Sequence, residues 1–429
     1  MRLTIVLVSL VVLSCSPVSK QALTKRMRSI ESTLHNHAGF MVYDLEQKKE
    51  LYAYQSHQYF IPASNTKILT FYTALTILGD SIPALRYREQ NDSLIFWGTG
   101  DPSFLYEETH NSGRVLELLR QPEKKKLFLA DIPLHTTPLG PGWSWNDYKY
   151  AYSSERSAFP IVGNIFSVTH TVQSLSVYPS YFSYQVTIGD SIEKADVIRD
   201  VGSNKVVFSP GNGIASQTKW RIPFKTGSQI TAELLSDTLK KEVTVLKTFK
   251  LDSSKIVYSV PADSLYKTMM QESDNFIAEQ LLLVCAGVLR DSLKPEIAMK
   301  YMQQHHFTDL PDAPVWVDGS GLSRFNLNTP RNIVKLWEKI YHQVERERLF
   351  NLLAIGGKTG TIKNWYKNDP PYIYGKTGTL TNNHCLSGYL VTRKGRTLIF
   401  SFMSNNHPTK VAVVRAEMEQ LVKSLYEHY

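Results

Sequence analysis
Apolar and polar residues follow different periods in different stretches of this chain, and the changes of period mark out its parts. Residues 24–35 read as a helix. Phe40–Leu45 and Glu50–Tyr54 flank the turn-like Glu46-Gln47-Lys48-Lys49 and predict a hairpin. Next, Ile68, Leu69, Phe71, Tyr72, Ala74, Leu75, Ile77 and Leu78 occupy nearly every face of one helix. A helix that is apolar all round is buried. From about residue 86 to 260 short β-like runs alternate with turn residues: Ser93–Trp97, Lys126–Ala130, Val168–Thr171, Tyr184–Ile188, Lys205–Phe208 and Glu242–Leu246. Helices return with Asp263–Leu289, Lys294–His305 and Pro330–Gln343. Strands Tyr372–Lys376, Leu386–Thr392 and Thr397–Met403 follow, and the helix Lys410–Leu425 closes the chain. No period suggests repeats, and no segment is of low complexity.

The length, 429 residues, leaves room for two or three domains and a large core. The net charge of +9 is spread along the chain, and its tightest run is Lys124-Lys125-Lys126. That run reads as a solvated loop or strand end, so nucleic acid is not expected as a partner. An anionic surface or polymer, such as a cell wall, suits the charge better. Met1-Arg2 and the apolar stretch Leu3–Leu13, 11 residues broken by Thr4 and Ser9, have the length of an export signal and are too short to span a bilayer. The stretch ends in Val12-Leu13-Ser14-Cys15, which resembles a bacterial lipobox. Cys15 is then the expected lipid anchor, with plain cleavage between Ser14 and Ser19 as the alternative. The expected location is periplasmic or otherwise extracytoplasmic. Cys285 reads as a core residue of an apolar helix and Cys385 lies in a strand; in an oxidising compartment the two can pair. Neither the cysteines nor His35/His37 and His305/His306 have metal-site spacing, so no metal or other cofactor is expected.

The candidate chemistry starts at Ser64-Asn65-Thr66-Lys67. Pro62 suits a helix start. Residues three apart on a helix are neighbours, so Ser64 and Lys67 can meet. A desolvated lysine loses its charge readily and can take the proton of a serine hydroxyl. The S-x-x-K pattern recurs at Ser191, Ser216 and Ser264, where the surroundings are polar or ordinary helix surface. Ser64 is distinguished by its apolar helix. Its first expected partner is Ser273-Asp274-Asn275, at the start of the apolar Phe276–Leu283. A turn there can aim Ser273 and Asn275 at one cleft, although Ser and Asp also serve as a helix cap. The second is Lys376-Thr377-Gly378-Thr379. Lys376 offers a cation for a carboxylate, and Gly378 lets the backbone run close to a substrate. The backbone N–H groups of Thr379 and Ser64 can form an oxyanion hole. K-T-G also occurs at Lys225 and Lys358. Lys376 is preferred because a strand-like run leads into it and a strand pair follows.

With S-x-x-K, S-D-N and K-T-G in this order, the chain resembles the D-alanyl-D-alanine carboxypeptidase/endopeptidase family of penicillin-binding protein 4 type. Gly98-Thr99-Gly100-Asp101-Pro102-Ser103, Gly140-Pro141-Gly142-Trp143, and Asp318-Gly319-Ser320-Gly321-Leu322-Ser323-Arg324 add to the likeness, which runs from about residue 25 to the C-terminus. The last of these segments reads first as a structural turn. Ser64 and Ser273 stand 209 residues apart, room for the inserted domain this family carries.

The resemblance implies an α+β fold. A transpeptidase/β-lactamase-like domain, an antiparallel five-stranded sheet flanked by helices, would be built from 23–85 and 262–429. A β-rich insert would occupy 86–261, and 1–22 would be signal and tether. It further implies that Ser64 attacks peptidoglycan stem peptides and β-lactams and that Lys67 is its base. Ser273 would pass a proton to the leaving amine. Asn275 would orient substrate and Lys67, Lys376 would bind the terminal carboxylate, and Thr377, Gly378 and Thr379 would line the substrate strand. Repulsion between the two lysines would help keep Lys67 neutral. No E-x-x-L-N segment is present to supply a deacylating glutamate, so acylation by penicillin is expected to be long-lived. Two other readings stand beside this one: an esterase or weak β-lactamase on the same scaffold, and a catalytically silent cell-wall-binding lipoprotein.

Overall fold
The computed structural model describes residues 18–109, 113–121, 125–212, 217–249 and 254–429. The expected leader and Cys15 lie outside the described residues, as do Lys124 and Ser216.

The sheet that carries the K-T-G strand is antiparallel throughout. Its order is Ala354–Ile355, Ile373–Leu380, Asn383–Val391, Thr397–Asn405, His37–Asp44, Lys49–Tyr54. Five of these strands are full-length; the sixth, at the edge, is a two-residue addition to the five expected. Side chains alternate across a strand, and both faces here are covered. Leu386 and Leu390 face one core with Phe40, Phe402 and Met418. The helices Lys20–Leu34 and Val411–His428 close that side. Cys385 and Tyr389 face the opposite core with Ile68, Phe71, Trp337 and Met403. Double burial explains why Asn383–Val391 and Thr397–Asn405 read as nearly continuous apolar runs. Both Cys285 and Cys385 are buried free thiols in this second core, so the open possibility of a disulfide is not realised.

The remaining strands form three smaller sheets with a core of their own, which includes Leu85, Phe96, Phe159, Val168 and Leu235. The largest orders Val243–Leu246, Lys126–Ala130, Ser93–Gly98, Ser81–Gln90 and Lys255–Pro261. Residue 85 falls inside the strand Ser81–Gln90. The chain enters and leaves this region side by side, where the Ala262 N–H donates to the Asp80 carbonyl at 3.0 Å.

Several elements differ from the expected pattern. Asp263–Leu289 is not one helix but two, Ala262–Gln271 and Asn275–Arg290, interrupted at residues 272–274. Within the β-textured region stand the helices Arg114–Arg120 and Ser228–Leu239.

Candidate active site
Ser64 stands on a 3₁₀ turn, Ala63–Thr66, and the α-helix Lys67–Ile77 begins only after it. Ala63 has φ 47°, the left-handed region that costs a side-chain-bearing residue free energy. Gly321 packs on the Ala63 carbonyl so closely that a Cβ would overlap it. Ser64 is half-buried and faces a groove of about 970 Å³.

Lys67 is fully buried. Its Nζ lies 3.0 Å from Ser64 Oγ, 2.6 Å from Asn275 Oδ1 and 2.7 Å from the Ser320 carbonyl oxygen. Burial pushes the amine down to about 8, against the opposing pull of Asp318, Asp274 and Glu279. Lys376 is also fully buried and lies well below the ordinary lysine range. Burial is the main cause, the Lys67 charge adds to it, and Glu272 opposes. Desolvation is the leading cause for both amines. Lys376 Nζ is 2.7 Å from Ser273 Oγ and donates to the Thr377 carbonyl at 2.8 Å.

The break at 272–274 aims the second cluster. Ser273 has φ 63°, and Asp274 caps the next helix by accepting from the Ile277 N–H at 2.8 Å. The cap and the aimed turn are thus one structure. The Tyr106 hydroxyl donates to the other Asp274 oxygen at 2.6 Å. Asn275 accepts from Lys67 through Oδ1 and donates through Nδ2 to the Tyr152 carbonyl at 2.9 Å. Gly378 brings the third cluster against Ser64. A Cβ there would lie 2.5 Å from the Pro62 carbonyl oxygen and 2.9 Å from the backbone nitrogens of Ser64 and Asn65. Thr377 is buried and its hydroxyl donates to Thr361 at 2.7 Å; Thr379 is exposed on the groove. Ser64, Lys67, Ser273, Asn275, Lys376 and the Thr377–Thr379 strand thus converge. Lys358 does not: it is exposed, 3.9 Å from Asp369. Lys194 and Lys267 of the other S-x-x-K matches are exposed as well.

Sequence reasoning passed over the supports behind Lys67. Asp318 is fully buried and accepts from the Gly321 N–H (2.8 Å), the Ser323 N–H (2.7 Å), Asn326 Nδ2 (2.7 Å) and Trp143 Nε1 (2.8 Å). Glu279 accepts from the Ser320 N–H at 2.7 Å and pairs with buried Arg156 at 3.4 Å. These two carboxylates fold the loop 318–324 so that its Ser320 carbonyl meets Lys67. The signal was present: Glu279 is a charge inside an otherwise apolar helix face, and charges are rarely fully buried unless paired. Trp143, Tyr152 and Arg156 come from one strap, residues 138–157, that also lines the groove.

The arrangement can do acyl-transfer chemistry. It holds a hydroxyl against a buried amine, a second hydroxyl against a second amine, and a close-packed backbone edge beside them. Comparison with known proteins decides the family. The D-Ala-D-Ala carboxypeptidase 3 (S13) family model matches residues 20–427. The chain belongs to that family. It is a serine D-Ala-D-Ala carboxypeptidase of the penicillin-binding protein 4 type. Among relatives, the D-alanyl-D-alanine carboxypeptidase DacB of Haemophilus influenzae is 24% identical over 91% of this chain and 90% of its own. The D-alanyl-D-alanine carboxypeptidase of Actinomadura sp. strain R39 is 24% identical over 96% and 87%. The fold matches the crystal structure of penicillin binding protein 4 from H. influenzae with a TM-score of 0.76, at 23% identity over 93% of this chain and 99% of that one. Bd3459, a predatory peptidoglycan endopeptidase from Bdellovibrio bacteriovorus, superposes with a TM-score of 0.51 at 14% identity, over 90% of this chain and 93% of that one.

Proposed function
We propose that Ser64 carries the acyl-enzyme of this carboxypeptidase and that 23–85 with 262–429 form its catalytic unit around the insert 86–261. The observation that carries the reading is Lys67 Nζ, desolvated and 3.0 Å from Ser64 Oγ. Neutral Lys67 takes the Ser64 proton as Oγ bonds to the carbonyl carbon of the penultimate D-Ala of a stem peptide. The developing oxyanion sits between the Ser64 and Thr379 N–H groups. When the C–N bond breaks, Ser273 passes a proton to the leaving D-Ala amine, drawing on Lys376 behind it. The substrate's terminal carboxylate lies near Lys376 and returns that amine to its charged form. Asn275 holds Lys67 and the substrate amide. Water then hydrolyses the ester. A β-lactam acylates the same hydroxyl, and its ester persists because no glutamate of the E-x-x-L-N kind stands ready to deacylate it.

Fluorescent penicillin tests this directly. Wild type should take up one label per chain and Ser64→Ala none; a wild type that stays dark overturns the reading. Digestion of purified sacculi then separates the two hydrolytic activities by product, free D-Ala from tail trimming or cleaved crosslinks from endopeptidase action. Export with lipidation at Cys15 is the accompanying proposal. Cys15→Ala should move the protein from the detergent phase to the aqueous phase in a Triton X-114 partition, and no shift would reject the anchor. Among the described residues no helix is long and apolar enough to cross a membrane.

A further inference from the structure
The K-T-G strand is an open edge where the chemistry happens. Its outer partner, Ala354–Ile355, pairs only with Gly375 and Tyr374. From Lys376 onward the strand's ladder pairing is on one side only, with Asn383–Val391, although the Thr377 hydroxyl reaches Thr361. An edge held on one side shifts more easily than one held on both. Yet Gly378 leaves no slack against the Ser64 turn, so a small displacement of this edge moves the Thr379 N–H relative to Ser64.

At the Thr379 end, a side chain of the neighbouring strand fastens that edge. His384 stands directly across from Thr379 in the sheet register, and its Nδ1 is 2.8 Å from Thr379 Oγ1. A single hydrogen bond joins them whichever ring nitrogen carries the proton. His384 is 1% exposed. Burial, with the charge of Arg415 and then His407 adding to it, pushes the ring down to about 3, so it stays neutral throughout the working range. The turn beyond the strand is fastened in a similar way. The His407 N–H donates to the Asn382 carbonyl at 3.1 Å, and His407 Nδ1 donates to the Thr409 carbonyl at 3.0 Å.

We propose that His384 is a positioning residue for acylation, acting through the Thr379 hydroxyl to hold the edge strand where the Thr379 N–H meets the reacting carbonyl. This rests on the oxyanion role given to Thr379 above. A residue that aims an oxyanion donor acts on the rate of acylation rather than on the affinity of the first complex.

The test is stopped-flow acylation by a fluorescent penicillin, resolving the rate constant from the dissociation constant. His384→Leu should lower the rate constant by roughly 10-fold, a fraction of the loss when a whole oxyanion donor is removed, with the dissociation constant within about 2-fold. His384→Asn can place an amide near the Nδ1 position and should recover most of the rate. Thr379→Val should reproduce the His384→Leu loss, and the double variant should be no slower than either single one, because both remove the same bond. Additive losses, a normal rate in His384→Leu, or no recovery with Asn would each overturn the proposal. Thermal unfolding of His384→Asn and His384→Leu side by side separates aim from folding: equal melting points with unequal rates support it. Wild type labelling at Ser64 in the same experiment keeps failure here distinct from failure of the acyl-enzyme reading.

Discussion

Lys67 has to satisfy two opposing demands with one side chain. In the role proposed for it, its amine must be neutral to accept the Ser64 proton, yet three acceptors surround it and three carboxylates lie within electrostatic reach. Burial prevails and sets the group near 8. The sign follows directly. Below that value the amine is protonated and cannot act as a base; above it the amine is free. Acylation by penicillin should therefore rise with pH through about 8 and level off above it, in proportion to the neutral fraction. Lys67→Arg, which keeps the charge at every accessible pH, should reduce acylation by roughly 1,000-fold or more on the scale of lost general-base catalysis. A rate independent of pH between 6 and 9 would exclude Lys67 as the base. The Ser64–Lys67 pair was legible because its spacing and the apolar helix around it are both local in sequence. The third acceptor, the Ser320 carbonyl, was not, because a backbone oxygen leaves no mark in the residue types. His384 was equally silent: a lone histidine in a strand reads as core until its register with Thr379 is known.

At the level of elements, the misread helix is the informative one. Asp263–Leu289 is helical in pattern on both sides of residues 272–274, so periodicity alone runs straight through the break. What ends the first helix is the Ser273 backbone at φ 63°, and what starts the second is the Asp274 carboxylate. The cap and the Tyr106 bond together hold Ser273 and Asn275 on the groove. Asp274→Ala removes both and should cost about 1–2 kcal/mol of stability by the measured worth of such caps, with a parallel loss of acylation as the two side chains lose their aim. Asp274→Ser, which keeps a capping oxygen, should retain most of the stability. Urea unfolding of the three proteins checks this, and an Asp274→Ala variant as stable as wild type would refute it. The strand Ser81–Gln90 escaped notice for a related reason. Leu85 to Arg88 alternate as a strand should, but Pro83 demotes the run, and two neighbours, Ser93–Gly98 and Lys255–Pro261, pair with it so that tertiary contact overrides local preference.

Taken as a whole, the molecule brings part of the stretch between Ser64 and Ser273 onto the groove. Length and the gap between Ser64 and Ser273 predict an inserted region, but not that the strap 138–157 would wall the groove and reach under Lys67. The deepest of these contacts is the pair of Arg156 and Glu279, whose side chains are 2% and 1% exposed. Burial raises the Glu279 carboxyl, Asp318 nearby raises it further, and Arg156 pulls it back down. Removing one member of a buried pair strands the other, a loss of about 3–5 kcal/mol, whereas replacing both can be nearly neutral. Arg156→Met should therefore destabilise strongly. Arg156→Met with Glu279→Gln should recover much of that loss, since glutamine still accepts the Ser320 N–H. If the strap and the catalytic helices fold as one unit, tryptophan fluorescence and penicillin labelling should disappear at the same urea concentration in wild type and in both variants. Labelling lost well before fluorescence in Arg156→Met alone would mean that the strap detaches locally. The pair would then act as a latch on the groove, and the insert would be an independently stable body.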